Sequence, residues 1–433
     1  WSSDVCSSDL NFLDELWEVI VKHHLRYSYL FASAAVAVIM ASTPVDARVD
    51  GDTITLGSAI SFSGKYSTNG VHASNGYNLA VKMINAAGGV MVGGKSYKLK
   101  IKYYDDESTP LRTAQLGERL IKQDKIQFLL GPYSSATTKA MAPITEKYNI
   151  PMVEAEGAAR SLFTQGYKNL FAVLSTSEQY LAPVIDVAAA IAKKAGKDPS
   201  KIKVAMAFEN DPFSLDVRAG VVTAAKKYGM NIVIDDKLPR DLSDMSSTLT
   251  KVRALKPDVL VVSGHSKGAA TAARQIKELK INVPMIAMTH CEAAKVIKKF
   301  GASTNGFLCP TQWGETLSYK DKLFGSAAEY DKLFKSTYDG YKNVPYQAAQ
   351  ASAAVMVWKA AFEKANSFNV DKVRAALAST DMKTFYGAIK FSKAGNNIAK
   401  PMVLRQIQNG NLKIVAPLKW ASDSVQHPRM VGK

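Results

Sequence analysis

What most constrains the fold of this chain is an alternation that runs along nearly all of it: short apolar runs, each followed by an amphipathic stretch. The run 53–62, TITLGSAISF, reads as a strand, and a Gly-rich loop separates it from a helix over about 73–87. On that helix Tyr77, Ala80, Val81 and Ile84 share one face, and Gly88-Gly89 ends it. Strands at 98–104, 126–130 and 151–154 then alternate with helices at 113–123 and 137–148. The rhythm resumes with helices at 180–195, 217–228, 245–255, 267–279 and 292–300, interleaved with strands at 203–208, 231–237, 259–263, 285–288 and 306–308. A long helix follows at 348–365. Parallel neighbours need a crossover, usually helical, so the pattern predicts an α/β protein whose parallel sheets carry helices on both faces.

The first 47 residues do not share this rhythm. WSSDVCSSDL, residues 1–10, fits neither period, and its back-translation matches a short-read sequencing adapter along its whole length. It is read as an artefact, and Cys6 leaves the count with it. Residues 11–20 are read as upstream read-through. Residues 21–47 have the plan of a signal peptide: Lys22 and Arg26, an uncharged apolar run at 29–41, then Pro44 and small residues before a cut after Ala47. The apolar run is shorter than the roughly 20 residues of a spanning helix. The expectation is therefore export to the periplasm.

Removing that segment raises the net charge from +17 to about +21, a strongly basic balance. The cations are dispersed along helices (Lys193-Lys194, Lys226-Lys227, Lys298-Lys299), so they read as a solvated surface and no nucleic-acid partner is expected. The remaining length calls for two domains. Cys291 and Cys309 leave two readings open, a disulfide of an exported chain or a pair of buried thiols.

Catalytic patterns are scarce. Residues 89–96, GVMVGGKS, match the P-loop pattern GxxxxGK[ST]. A P-loop follows a strand and opens a helix, whereas this copy follows a helix and opens a strand, so it is read as a turn. HExxH and CxxC do not occur. Asp105-Asp106-Glu107 ends a strand, where carboxylates bind metal or act in acid–base chemistry but more often bond loop amides. Neither a metal nor a cofactor is expected.

The stretch 131–138, GPYSSATT, is more informative. A buried strand ends at Leu130, and Ser134 and Ser135 precede a helix, with Ser135 at or just before its N-cap. A hydroxyl beside free helix-terminal amides suits a carboxylate. The next strand ends at Glu154-Ala155-Glu156-Gly157-Ala158, which would lie beside Ser135 at the carboxyl edge of the sheet, where open α/β sheets bind ligands.

From residue 54 onward the chain resembles the type I periplasmic solute-binding proteins of ABC importers, especially the branched-chain amino acid group. The resemblance rests on SGKYSTNG (63–70), NGYNLAVKMINAAGGV (75–90), YYDDEST (103–109), GPYSSATT (131–138) and MVEAEGAARSLFTQGY (152–167). It implies two doubly wound lobes joined by three hinge crossings, with ligand held between them. Lobe one would span about 50–172 plus 310–400, and lobe two 173–309 plus 401–433. Ser135, Gly157 and Ala158 would hold the ligand's carboxylate and amine, with Ser134 beside them. Phe213, His265 and Thr289 would close from lobe two, and Tyr66 or Asn69, together with Tyr133, would line lobe one.

The family carries threonine at Ala158 and an acid at Thr289, and its lobe-one cysteine pair is replaced by Ser108 and Ser134. A buried ammonium without a counter-charge is expensive. The expected ligand is thus a small carboxylate, with an α-amine only if Glu154, Glu156 or Glu292 substitutes. The resemblance implies a monomer that delivers solute to permease subunits at the inner membrane and does no chemistry. The second reading is a periplasmic sensor of the same fold signalling to a membrane partner.

Overall fold

The computed structural model describes residues 49–429; the segments read above as artefact, read-through and signal peptide lie outside them. Two seven-stranded sheets organise the chain. In the first, Thr53–Ile60 lies between Lys95–Asp105 on one side and Leu129–Leu130 on the other, with Met152–Glu154 and Leu170–Ala172 beyond, all five parallel. In the second, Lys203–Glu209 lies between Asn231–Leu238 and Val259–Ser263, followed by Met285–Met288 and Leu308–Thr311, again parallel. Each sheet therefore has the doubly wound order 2-1-3-4-5, in which winding reverses between the first and third strands. The expected fold class is borne out.

The chain crosses between the two halves three times, after Ala172, after Thr311 and before Val403, and the helix Tyr346–Ala365 of the returning segment packs on the elements of the first sheet. The last strands, Val403–Gln408 and Asn411–Ala416, run antiparallel on the far edge of the second sheet. Central strands such as Val259–Ser263 are buried throughout, because helices cover both faces.

Close backbone approaches fix the packing of the first sheet's helices. The helix Tyr346–Ala365 is buried along most of its circumference, which explains its weak amphipathic pattern. It crosses the helix Ser67–Ala86 at Gly76, where a Cβ would stand 2.1 Å from the Ala348 carbonyl oxygen. Ser352 Oγ donates to the Gly76 carbonyl at 2.6 Å at the same crossing.

Several boundaries differ from the sequence reading. The helix expected at 73–87 begins at Ser67, because Gly70 lets its polar first turn settle on the Ser61 carbonyl. The helix expected at 217–228 begins at Pro212, where Asp211 caps it by accepting from Ser214 N at 2.9 Å. The strand expected at 126–130 pairs only over Leu129–Leu130. The P-loop look-alike is a hairpin: Val92 faces Lys95, and Gly93 and Gly94 turn with φ of 58° and 78°, the left-handed pair a tight two-residue turn requires. Cys291 and Cys309 form a disulfide with Cα atoms 5.5 Å apart, which closes the open question. Among the described residues no helix is long and apolar enough to cross a membrane.

Candidate functional site

The reversal point of each sheet brings the chemistry-bearing loops to one edge. In the first sheet, Leu129–Leu130 runs into Gly131 and Tyr133, then into the helix Ser135–Lys147. Ser134, not Ser135, is the N-cap. Its φ of 96° turns the chain, and its Oγ accepts from Thr137 N at 3.3 Å. That frees Ser135, the first helical residue, to accept from Ala159 N at 2.9 Å across the loop after the next strand. In the second sheet, Asp211 and His265 stand at the starts of the helices that follow Lys203–Glu209 and Val259–Ser263.

Between these edges lies an enclosed cavity lined by Tyr133, Ser135, Glu156, Tyr180, Phe213, His265, His290, Tyr346 and Gln350. The space left for the centre of a water molecule is about 10 Å³, room for about one water. That space is smaller than a molecule the size of an amino acid.

Hydrogen bonds across the cavity assign the ring protons. His290 Nδ1 lies 2.8 Å from the Gly264 carbonyl oxygen, which can only accept, so Nδ1 carries the proton. Burial, reinforced by the neighbouring His265, pulls the His290 pKa down to about 3, so the ring is neutral and its Nε2 is an acceptor. Tyr133 Oη therefore donates to Nε2 at 3.2 Å. The same hydroxyl lies 3.3 Å from His265 Nδ1, and His265 Nε2 lies 3.3 Å from Asp211 Oδ2. Burial opposes ionisation of Asp211, but His265 and the Ser214 amide outweigh it and hold the carboxyl down at about 2. Burial, opposed by Lys65 and helped by Asp211, pushes Glu209 up to about 8, so the proton of this acidic pair sits on Glu209.

Lys65, in the loop after the first strand, reaches the second sheet's edge at Glu209 Oε2, 3.5 Å away. Glu209, Asp211 and His265 present three possible metal-ligand atoms within 4.8 Å of one another, with the Lys65 ammonium already supplying positive charge beside them. The other such group, Cys291, Glu292 and Cys309, has its thiols in the disulfide.

The glutamates of the 154–156 loop divide their roles. Glu154 Oε1 accepts from the amides of Glu156 and of Gly157 (2.7 Å to the latter), and Oε2 accepts from Thr138 Oγ1 at 2.9 Å. It shapes the loop from beneath. Burial pushes its pKa up to about 7 against those bonds. Glu156 enters the cavity wall, with Oε2 accepting from Gln350 Nε2 at 2.9 Å and Oε1 without a hydrogen-bond partner.

Behind the cavity the three crossings are knitted together. Gln312 Nε2 donates to Ser175 O at 3.0 Å and Tyr180 Oη at 2.9 Å, and its Oε1 accepts from Ser175 N at 3.1 Å. Ser175 Oγ donates to Lys400 O at 2.7 Å. Tyr386 Oη lies 3.2 Å from Gln312 Oε1 and 3.3 Å from Gln350 Oε1, so the hinge is one residue from the Glu156 carboxyl.

Of the residues expected at the site, Tyr133, Ser135, Phe213 and His265 line the cavity. Tyr66 stands edge-on to His265 with ring centroids 4.7 Å apart, and Ser134 caps the helix. Asn69, Gly157, Ala158 and Thr289 are placed elsewhere. The Gly157 amide is taken by Glu154, and the Ala158 carbonyl accepts from Ser177 N. Thr289 Oγ1 donates to Gly264 O at 2.7 Å, and Asn69 is buried in its helix. Sequence reasoning missed Tyr180, His290, Tyr346 and Gln350; nothing local marks them, since three distant segments deliver them. Asp105 and Asp106, weighed above as chemical groups, hold loops instead: Asp105 accepts from Phe62 N and Ser63 N, Asp106 from Ser61 Oγ and Thr113 Oγ1.

Two doubly wound lobes linked by three crossings, with a cavity between their reversal points, define the architecture of a two-lobed binding protein. The chain belongs to the periplasmic binding protein family, whose model matches residues 53–411. The Leu/Ile/Val-binding protein homolog 8 of Brucella suis biovar 1 is 24% identical over 412 residues, covering 91% of this chain and 97% of that protein. The leucine-binding protein LivK of Thermotoga maritima superposes with a TM-score of 0.72 at 21% identity, covering 84% of this chain and 98% of its own. A solute-binding protein of an ABC transporter from Rhodopseudomonas palustris, solved with 3,4-dihydroxybenzoic acid, reaches 0.73 at 18% identity, covering 87% and 99%. The resemblance read from the sequence is borne out, and the family implies an extracytoplasmic location.

Proposed function

We propose that this chain is the solute-capturing component of an ABC importer, binding a small carboxylate in the inter-lobe cavity by hinge closure and handing it to permease subunits. The observation that carries the reading is Ser135. It is the first residue of a helix at the first sheet's reversal point, its hydroxyl lies in the cavity wall, and the helix's first amides have no intrahelical acceptor. A carboxylate there meets the positive end of the helix dipole, while Phe213, His265 and His290 close over it from the second sheet. The relatives support this chemistry, since one is a leucine-binding protein and another was solved with a benzoic acid, ligands that share a carboxylate and little else.

A thermal-shift screen of small carboxylates tests it, because a ligand held only by the folded form raises the melting temperature. The expected result is a shift with at least one acid, lost or cut at least tenfold in affinity in Ser135→Ala. A screen in which no acid shifts the protein, or a variant that binds as the wild type does, overturns the reading.

A further inference from the structure

A polar cluster lies behind the cavity wall, on the Nε2 side of the His265 ring. Asp211 is 2% exposed, and its Oδ2 accepts no hydrogen bond. Buried polar atoms are nearly always bonded, so this ionised oxygen calls for a partner from outside the chain. The other oxygen, Oδ1, is taken by the Ser214 amide. His265 Nε2 comes within 3.3 Å of Oδ2, but without the geometry of a hydrogen bond. Tyr133 Oη gives its proton to His290, so toward His265 Nδ1 it can only accept, and Nδ1 holds the hydrogen. The lone pair of a neutral His265 is therefore on Nε2, toward Asp211. Metal-binding imidazoles are oriented in this way, by a partner on the nitrogen that does not bind the ion. Glu209 completes the group, since one atom from each of Glu209, Asp211 and His265 lies within 4.8 Å of the others. Gly264 and Gly268 make room for its carboxyl: a Cβ there would stand 2.7 Å and 2.4 Å from Oε1.

We propose that Glu209, Asp211 and His265 hold a divalent transition-metal ion of the zinc class behind the cavity wall. Two acceptors 3.3 Å apart need a cation between them. A shared proton would lie along the line joining them, and the approach lacks that direction. A metal ion stands off that line. At bond lengths of about 2.0–2.2 Å, a tetrahedral site sets its ligand atoms about 3.3–3.6 Å apart. One imidazole and two carboxylates, with a fourth position left for water, suit such an ion better than calcium, which takes six or more oxygens. Lys65 brings positive charge to one oxygen of Glu209 alone, at 3.5 Å and from the other lobe, so it yields to an ion bound by all three groups. The proton that the acidic pair holds in the free protein leaves to solvent as the ion enters. Because Nδ1 stays on Tyr133, the ion fixes a ring that forms part of the cavity wall.

Zinc and cobalt ions are the probes, titrated into the metal-stripped chain without a polyhistidine tag and with no solute present. Calorimetry reads stoichiometry and affinity, and the visible absorption of bound cobalt reads coordination geometry. The expected outcome is one ion per chain, a Kd of about 1 μM or tighter, and the intense bands of four-coordinate cobalt. His265→Gln and Glu209→Gln should each weaken binding about a hundredfold, and Tyr133→Phe, which removes the orienting hydroxyl, about tenfold. Lys65→Met removes the competing ammonium and should tighten binding about threefold, a gain that misfolding cannot produce. Failure of both ions to bind the wild type overturns the proposal. So does a six-coordinate cobalt spectrum, or an affinity that His265→Gln leaves unchanged. The wild-type titration and spectrum do not hang on how any variant folds, and with no solute in the cell they leave the carboxylate reading to its own test.

Discussion

Lys400 offers a demanding test of the hinge. It lies on the last crossing, is 4% exposed, donates to the Gln312 carbonyl, and rests 4.4 Å over the ring of Tyr386. No carboxylate forms an ion pair with it among the described residues. Burial pulls its pKa from 10.5 down to about 7. In the unfolded chain the ammonium titrates near its ordinary value. Between about pH 7 and 10.5 the unfolded state therefore holds a proton that the folded state has released, and stability rises with pH through that window. Below pH 7 both states hold the proton and the burial penalty is complete. At about 1.36 kcal/mol per pH unit, the wild type gains roughly 2.7 kcal/mol from Lys400 between pH 6 and pH 9. Lys400→Met keeps the unbranched stem and removes the titration. Urea unfolding of both proteins at the two pH values gives a double difference from which all shared titrations cancel. The expected result is that the variant's stability relative to the wild type falls by about 2.7 kcal/mol from pH 6 to pH 9. A gap that changes by less than about 0.5 kcal/mol would refute the reasoning, since the lysine would then be charged and solvated in the folded state.

Glu154 has the opposite sign. The folded carboxyl titrates at about 7 against 4.5 unfolded, so the folded state holds the extra proton between those values and stability falls as pH rises through them. Glu154→Gln should remove a pH dependence of roughly 2.5 kcal/mol between pH 5 and pH 8, read by the same unfolding curves. Gly76→Ala forces a Cβ against the Ala348 carbonyl and pries two long helices apart; a loss of about 1–3 kcal/mol is expected, and a wild-type melting temperature would contradict the crossing. Replacing Cys291 and Cys309 by serine opens a loop of 18 residues and should lower stability by about 3 kcal/mol, whereas an unchanged response to reductant in the wild type would deny the bridge.

The architecture was legible because its signal is local. Short continuous apolar runs bounded by helical stretches can bury both faces only as a parallel sheet with crossovers, so parallel α/β layers followed from residues 53–308 without any contact being known, and the chain length called for two domains. Ser135 was legible for the same reason: a strand end, a turn and a helix start are neighbours in sequence, and the helix terminus carries its own chemistry, whereas Tyr133 came with the family resemblance. Glu156 was visible as a candidate but not distinguishable from Glu154, because two residues of loop decide which carboxyl turns under the loop and which enters the cavity.

Tertiary structure decided the rest. Thr289 and His290 are adjacent, yet the threonine hydroxyl is consumed by the Gly264 backbone while the imidazole reaches the cavity. Tyr346 and Gln350 come from a helix whose uniform burial hides any facing pattern. Sequence by itself determined the parallel α/β class and the helix terminus at Ser135, since both arise from periodicity and chain neighbours, while the two-lobed plan came with the family resemblance. Only the fold settled the second wall, the hinge knot at Gln312 and the identity of the unpartnered acid, since burial and hydrogen-bond occupancy depend on residues brought together from more than a hundred positions apart.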